Sequence, residues 1–447
     1  MGKKKYLIMV TLIGALGGLL FGYDTAVISG AIGFLETKFQ LSPTMKGWAV
    51  SSAIWGCILG VALAGYVADK IGRKKTLLIT AFLFAISAVG SALAEDLTFF
   101  VTARIIGGIG VGAASMLSPL YISEIAPAHK RGMLVSLYQL AIVLGINIVF
   151  FFNYKVAQYS TEAWNVETGW RYMVGSEVIP ALLFFIALFF VPESPRWLSK
   201  VGRDVEALDI LSRINSDEVA QQVHKDIKNA LGQEKGTLKE LFEPGLRIAM
   251  VIGVFLALFS QITGINAIMY YAPEILKKAG FGVDSALMQT VIIGIVNTIF
   301  TFVAIKYIDK LGRRTLLLWG VSGMILCLFG IGLLYQFDMT SGPWLLVLIL
   351  GFVGCFATSL GPIPWVLISE IFPTKTRGIA MSLSIVVLWV GVILISQFTP
   401  VLLEMGETMT FWIFMVNAII LLIFTYKLIP ETKGKTLEEI EQSWKIQ

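Results

Sequence analysis

The chain has 447 residues, of which 56% are hydrophobic and 15% charged, with a formal net charge of +5. Soluble proteins carry about 25% charged residues, whereas here the apolar residues gather in blocks of about 20, the length that carries a helix across the hydrocarbon core. This composition excludes an ordinary soluble enzyme, calls for no nucleic-acid partner, and predicts an all-α membrane protein.

The opening Met-Gly-Lys-Lys-Lys looks like the basic start of a signal peptide, but the apolar block behind it is too long and leads into further blocks. It reads as the first transmembrane helix. Within it, Gly14, Gly18 and Gly22 recur at every fourth residue and form a ridge that a neighbouring helix can approach closely. One carboxylate, Asp24, stands in the same segment. An ionisable group there costs roughly 2.5–3.5 kcal/mol on insertion scales unless it faces a cavity or a partner, so it marks a functional site.

Further blocks follow near 47–69, 76–95, 97–120, 133–155 and 173–191, and again near 247–274, 285–309, 314–336, 344–369, 379–402 and 408–429. Twelve spans are predicted, six on each side of a polar segment. The organisation is a six-helix bundle over 1–195, a linker with short amphipathic helices over 196–246, a second bundle over 247–430, and a tail over 431–447. Lysines and arginines concentrate at 3–5, 70–75, 130–131, 310–314 and 375–377, which places both termini in the cytoplasm by the positive-inside rule. Lys38, Lys46, Lys277 and Lys278 dilute that contrast from the other side. In the central segment, Asp204–Ile214 and Asp217–Leu231 read as amphipathic helices, and His224 as a solvated histidine. Cys57, Cys327 and Cys355 all fall in apolar blocks, against a disulfide framework or a metal cluster.

The two halves repeat. Asp69-Lys-Ile-Gly-Arg after span two matches Asp309-Lys-Leu-Gly-Arg after span eight, and Ser123-Glu-Ile-Ala-Pro matches Ser369-Glu-Ile-Phe-Pro. Pro192-Glu193 and Pro430-Glu431 close spans six and twelve. A parallel duplication of this kind is the arrangement of carriers that rock about a central site.

These motifs, with Phe-Gly-Tyr-Asp24, Pro192-Glu-Ser-Pro-Arg196, Gly264-Ile-Asn266, Tyr270-Tyr-Ala-Pro273 and Pro430-Glu-Thr-Lys-Gly434, resemble the sugar porter family of the major facilitator superfamily. The likeness extends over nearly the whole chain and is strongest to the bacterial porters that couple D-xylose to protons. It implies the major facilitator fold, a central monosaccharide site and alternating access.

Asp24 lies late in span one and Arg104 early in span four, so both fall at one depth, costly alone and tolerable together. The pair is either the proton-coupling site or a permanent structural ion pair; the resemblance favours coupling, since uniporters of the family tend to carry asparagine in place of Asp24. A sugar site needs amides against aromatic rings. Gln139, Gln261, Asn266, Asn297 and Trp365 are the candidates at family positions, with Phe21 and Trp389 as further lining residues. Mid-membrane amides also serve as interhelical hydrogen bonds. Gln261, Asn266 and Tyr270 do not share one face of a straight helix, and a break at Gly264 would bring them together. Tyr270 and Tyr271 then read as a gate or, equally, as interfacial aromatics.

The chain departs from the family pattern at Ser260, where a glutamine is usual, and at Ile146 and Leu388, where the D-xylose porters have glutamines. A pocket with fewer amides implies a different or larger sugar. Ile305, in place of the first glycine of the repeated loop motif, implies a looser helix contact in the second half.

Asp69, Arg73, Glu124, Arg131, Glu193, Arg196 and, in the second half, Asp309, Arg313, Glu370 and Arg377 read as a cytoplasmic gate of weak salt bridges. The function expected is proton-coupled import of a pentose or hexose across the cell membrane. The expected ligands are the monosaccharide and the proton, within the lipid bilayer, with no cofactor, no metal and a working monomer. A facilitative uniporter and a transporter-like sugar sensor are the alternatives. No nucleophile–base pair, metal-ligand spacing or phosphate loop supports an enzyme.

Overall fold

A bilayer offers backbone groups no water, so a chain this apolar satisfies its amides within helices. The computed structural model describes residues 2–127, 130–231, 237, 239–243, 246–373 and 376–434, the side chains of Arg131, Gly132 and Ala230 excepted, and contains no strand among them.

The helices are α1 (Lys3–Phe39), α2 (Pro43–Ile71), α3 (Arg73–Leu93), α4 (Leu97–Ile125), α5 (Arg131–Tyr159) and α6 (Glu162–Phe190). The short α7 (Pro195–Lys200), α8 (Asp204–Ile214) and α9 (Asp217–Leu231) come next. Then follow α10 (Arg247–Ile262), α11 (Ile265–Lys278), α12 (Val283–Leu311), α13 (Arg313–Gln336), α14 (Trp344–Thr358), α15 (Ile363–Ile371), α16 (Arg377–Met405) and α17 (Glu407–Leu428). Among the described residues, twelve runs are long and apolar enough to cross a membrane, with α10–α11 and α14–α15 each forming one broken span. The twelve-span expectation stands.

Local sequence explains the ends and interruptions. Asp96 caps α4 by accepting from the Phe99 amide at 2.8 Å. Ser194 caps α7, where Pro195 occupies the first turn. Span seven breaks at Gly264, which adopts the left-handed conformation at φ 98°. Span ten breaks across Ser359-Leu-Gly-Pro362, since proline ends the preceding helix. The break in span seven matches expectation; that in span ten is a further one. A π turn at Asn165–Gly169 lengthens α6 well beyond the predicted block.

The chain divides into two compact units, Met1–Phe34 with Ser52–Glu234 and Leu35–Ser51 with Lys235–Gln447. In the first unit the glycine ridge of α1 does what its spacing predicts. A Cβ at Gly18 or Gly22 would collide with the backbone carbonyls of Tyr138 and Ile142 on α5, and one at Gly145 with that of Leu19. Gly14 faces Tyr121 and Ile122 of α4 instead. α2 and α4 interlock in the same way, Gly56 and Gly60 against Ile105 and Ile109, Gly108 and Gly112 against Ala53 and Cys57. The amphipathic helices α8 and α9 have the predicted bounds and belong to the first unit. His224 is not the solvated histidine expected: it lies on α9, half-buried, 2.9 Å from Asp204.

Candidate functional site

The close approach of α1 to its neighbours draws Asp24 out of all solvent contact, and Arg104 of α4 is 2% exposed. The Arg104 Nη1 donates to Asp24 Oδ1 at 2.5 Å and its Nη2 to the Asp24 backbone carbonyl at 3.1 Å. A Cβ at Gly107 would meet the Ser87 side chain and stand 3.7 Å from Asp24 Oδ1, so the glycine keeps α4 tight against this carboxylate.

A third charge joins them. Glu177 of α6, 1% exposed, interacts with both Asp24 and Arg104. Its neighbour Ser176 donates to the Met173 carbonyl at 2.6 Å and receives the Tyr23 hydroxyl at 2.7 Å, which fixes α6 beside α1. Asp24 Oδ2, Glu177 Oε1 and Arg104 Nε find no hydrogen-bond partner among the described residues. Two carboxylates and one guanidinium in a dry site carry a surplus negative charge, which burial penalises heavily unless a proton neutralises it.

In the second unit, the break at Gly264 turns the chain so that Asn266 Nδ2 donates to Gln261 Oε1 at 2.8 Å, while Gln261 Nε2 reaches Ser260 Oγ at 3.0 Å. The freed Ile262 carbonyl is taken by Asn417 of α17 at 3.1 Å. Gly391 of α16 lets that helix pass close to Gln261, and Trp389, two residues earlier, is buried. Tyr270 and Tyr271 are buried as well, and the Tyr271 hydroxyl donates to the Ser396 carbonyl at 2.7 Å, which removes the interfacial-aromatic reading. Asn297 is half-buried on α12 and Trp365 is 36% exposed on α15, just past the break in span ten. Phe21 and Gln139 lie half-buried on α1 and α5 of the first unit.

The repeated charged motifs form one cluster within each unit. Arg73 grips Glu124 with two bonds of 3.0 and 3.1 Å and reaches Asp69 at 3.1 Å. Glu193 accepts from the Arg73 and Lys74 amides at 2.9 and 3.1 Å, capping α3. Ser194 adds a bond to Glu124 at 2.5 Å, and Lys200 one to Asp69 at 2.7 Å. In the second copy, Arg313 bonds Glu370 and Asp309, each at 2.9 Å, and Glu431 accepts from the Arg313 amide at 2.9 Å. Arg377 donates to the Phe372 carbonyl, and Arg196 is exposed. The Arg131 side chain lies outside the described residues. The second cluster is looser: Arg313 makes one bond to Glu370 where Arg73 makes two to Glu124. Ile305 is 39% exposed, whereas a Cβ at Gly65 would come within 3.2 Å of Met116. That agrees with the looser contact expected there.

Sequence reasoning passed over Glu177 and Glu431. The rule that singled out Asp24 applies equally to Glu177, and the repeated Pro-Glu pair pointed to Glu431.

The sequence family described as "Sugar (and other) transporter" matches residues 10–444. The arabinose-proton symporter of Bacillus subtilis (strain 168) is 48% identical over 441 residues, covering 98% of this chain and 95% of that protein. The D-xylose-proton symporter of Escherichia coli (strain K12) is 42% identical over 477 residues, covering 99% and 96%. The solved inward-open structure of the E. coli xylose transporter superposes with a TM-score of 0.88 at 41% identity, covering 98% of this chain and all of that one. The chain therefore belongs to the sugar transporter family, a family of multi-pass membrane carriers and not of enzymes.

Proposed function

We propose that this protein imports a pentose or hexose together with a proton, by alternating access across the cell membrane, with both termini in the cytoplasm. The observation that carries this reading is the buried cluster of Asp24, Arg104 and Glu177, in which the guanidinium bonds Asp24 while Asp24 Oδ2 and Glu177 Oε1 find no hydrogen-bond partner among the described residues. A proton arriving on this cluster weakens the hold of Arg104 on Asp24; its departure restores it. A proton moving inward gains about 2.3 kcal/mol per 100 mV, enough to concentrate a sugar ~fifty-fold before any pH gradient adds to it.

The sugar ligands proposed are Gln261 and Asn266 at the break in span seven, with Asn297, Trp365, Trp389 and Tyr270 in the same unit; Phe21 and Gln139 are proposed as ligands contributed by the first unit's own helices α1 and α5. Amides supply donors and acceptors for hydroxyls, and indole rings cover C–H faces. The paired charge clusters act as the cytoplasmic gate. No cofactor beyond the co-transported proton is needed, and a monomer suffices.

The pentose reading is favoured by the names of the relatives, the arabinose-proton and D-xylose-proton symporters. Uptake of labelled arabinose, xylose, glucose, galactose and inositol into proteoliposomes, with and without an imposed inward proton gradient, tests it. Gradient-driven accumulation of a pentose or hexose is the expected result; uptake that only equilibrates identifies a uniporter, and no uptake of any of them refutes sugar transport.

A further inference from the structure

The half-helix α11 begins where the backbone ladder of span seven is interrupted at Gly264, so side-chain tethers set the position of its far end. Tyr335 donates to the Ile275 carbonyl at 3.2 Å, and Lys278 to the Leu403 carbonyl and Glu407 Oε1, each at 3.1 Å. These lead to α13, α16 and α17. A further tether leads elsewhere. Glu274 of α11 accepts from Lys46 Nζ at 2.6 Å, and the same ammonium donates to Glu36 at 2.6 Å.

Glu36 and Lys46 stand on α1 and α2 at the tip of the first helical hairpin, the segment Leu35–Ser51 that packs into the second unit. Gln397 of α16 holds the same tip, donating to the Thr44 carbonyl at 3.1 Å and accepting from Ser51 Oγ at 2.7 Å. The backbone at Gly47 lies so close to the Gln397 carbonyl that no side chain fits there. α1 and α2 continue from this tip into the first unit, α1 carrying Asp24.

Lys46 is unlike a surface lysine. Its side chain is 9% exposed and that of Glu274 15%, whereas Glu36 opens to solvent at 38%, so removing the lysine charge would take the ammonium away from a carboxylate that is itself poorly solvated. We infer that Lys46 is a positioning residue for transport. Through Glu274 it pins the half-helix that bears Asn266 and Tyr270, and this bridge parts when that half-helix moves to load the sugar. The bridge thus joins the shared tip of α1 and α2 to α11 within the second unit.

The inference rests on the transport reading above, and the test separates the two. The full-length protein in proteoliposomes is assayed for counterflow of labelled arabinose or xylose, whichever the wild type transports faster, giving KM and kcat separately. Lys46→Met populates the arrangement with the bridge open, so KM and kcat both fall, each by about tenfold for a tenfold shift in population. Lys46→Arg stays within about twofold of wild type, and the exchange Lys46→Glu with Glu274→Lys, made together with Glu36→Gln so that no second carboxylate faces the one introduced, returns both constants to within about threefold. If Lys46→Met does not fold, Glu274→Gln removes the same bridge and must lower KM likewise. A KM that does not fall, or a loss of kcat that the charge exchange fails to restore, overturns the inference. No transport by the wild type overturns the transport reading instead.

Discussion

Gly264→Ala probes the broken helix on which the proposed sugar site depends. Gly264 sits at φ 98°, ψ 7°, where an L-residue is disfavoured by about 1–2 kcal/mol. Its Cβ would stand 2.5 and 2.6 Å from Cδ2 and Cγ of Phe414, a ring only 1% exposed and unable to back away, which adds about 1–3 kcal/mol of overpacking. Together the variant loses about 2–5 kcal/mol of unfolding free energy, read from equilibrium unfolding of the micelle-bound protein in SDS. Because relaxation separates Gln261 from Asn266, sugar affinity falls as well. Adding Phe414→Ala removes the atoms that collide and leaves the backbone term, so the double variant loses less than the two single variants together. A Gly264→Ala protein within about 0.5 kcal/mol of wild type, with unchanged sugar affinity, would refute the reasoning.

Glu193→Gln and Glu431→Gln each weaken a charge-assisted cap, on α3 and α13 respectively, and each should cost about 1–2 kcal/mol, with faster amide exchange in the first turn of the capped helix. No change in exchange at either helix start would remove the capping role. The hydrogen bond from Lys228, 2.6 Å away, holds the Asp204 carboxyl below its usual range, with His224 adding to the effect. The contribution to α8–α9 packing is therefore present above the ordinary carboxylate value of about 4 and is lost as pH falls through the lowered one. Amide exchange of α9, corrected for intrinsic rates, should rise in that acid range, and Lys228→Met should flatten the dependence; equal pH profiles for both proteins would contradict it.

Much of this architecture was legible because the bilayer imposes simple rules. Twelve blocks of the right length became twelve spans, the glycine spacing of α1 marked a close helix contact, and a charge pair at one depth proved to be in contact. Gly264 broke its helix as its conformational freedom allows. What escaped did so for a physical reason. The apolar block of span six starts near residue 173 and so takes in Glu177 close to its start; the helix begins at Glu162, carried on by the π turn, which puts Glu177 deep inside. Lys46 likewise reads as a loop cation because the apolar block starts after it, whereas α2 begins at Pro43 and buries it. Hydropathy locates the apolar core of a span but not the polar turns that extend it, and partners such as Glu274 are far away in sequence. The Gly361-Pro362 pair was a visible signal of the second break.

In the mechanism we propose, Asp24, with Arg104 and Glu177, couples the proton to the sugar. The most direct test compares wild type with Asp24→Asn in one proteoliposome preparation, measuring sugar counterflow at equal pH and sugar accumulation under an inward proton gradient. Counterflow survives in Asp24→Asn, while uphill accumulation and the proton uptake that accompanies it disappear. Unchanged uphill accumulation in Asp24→Asn would contradict it.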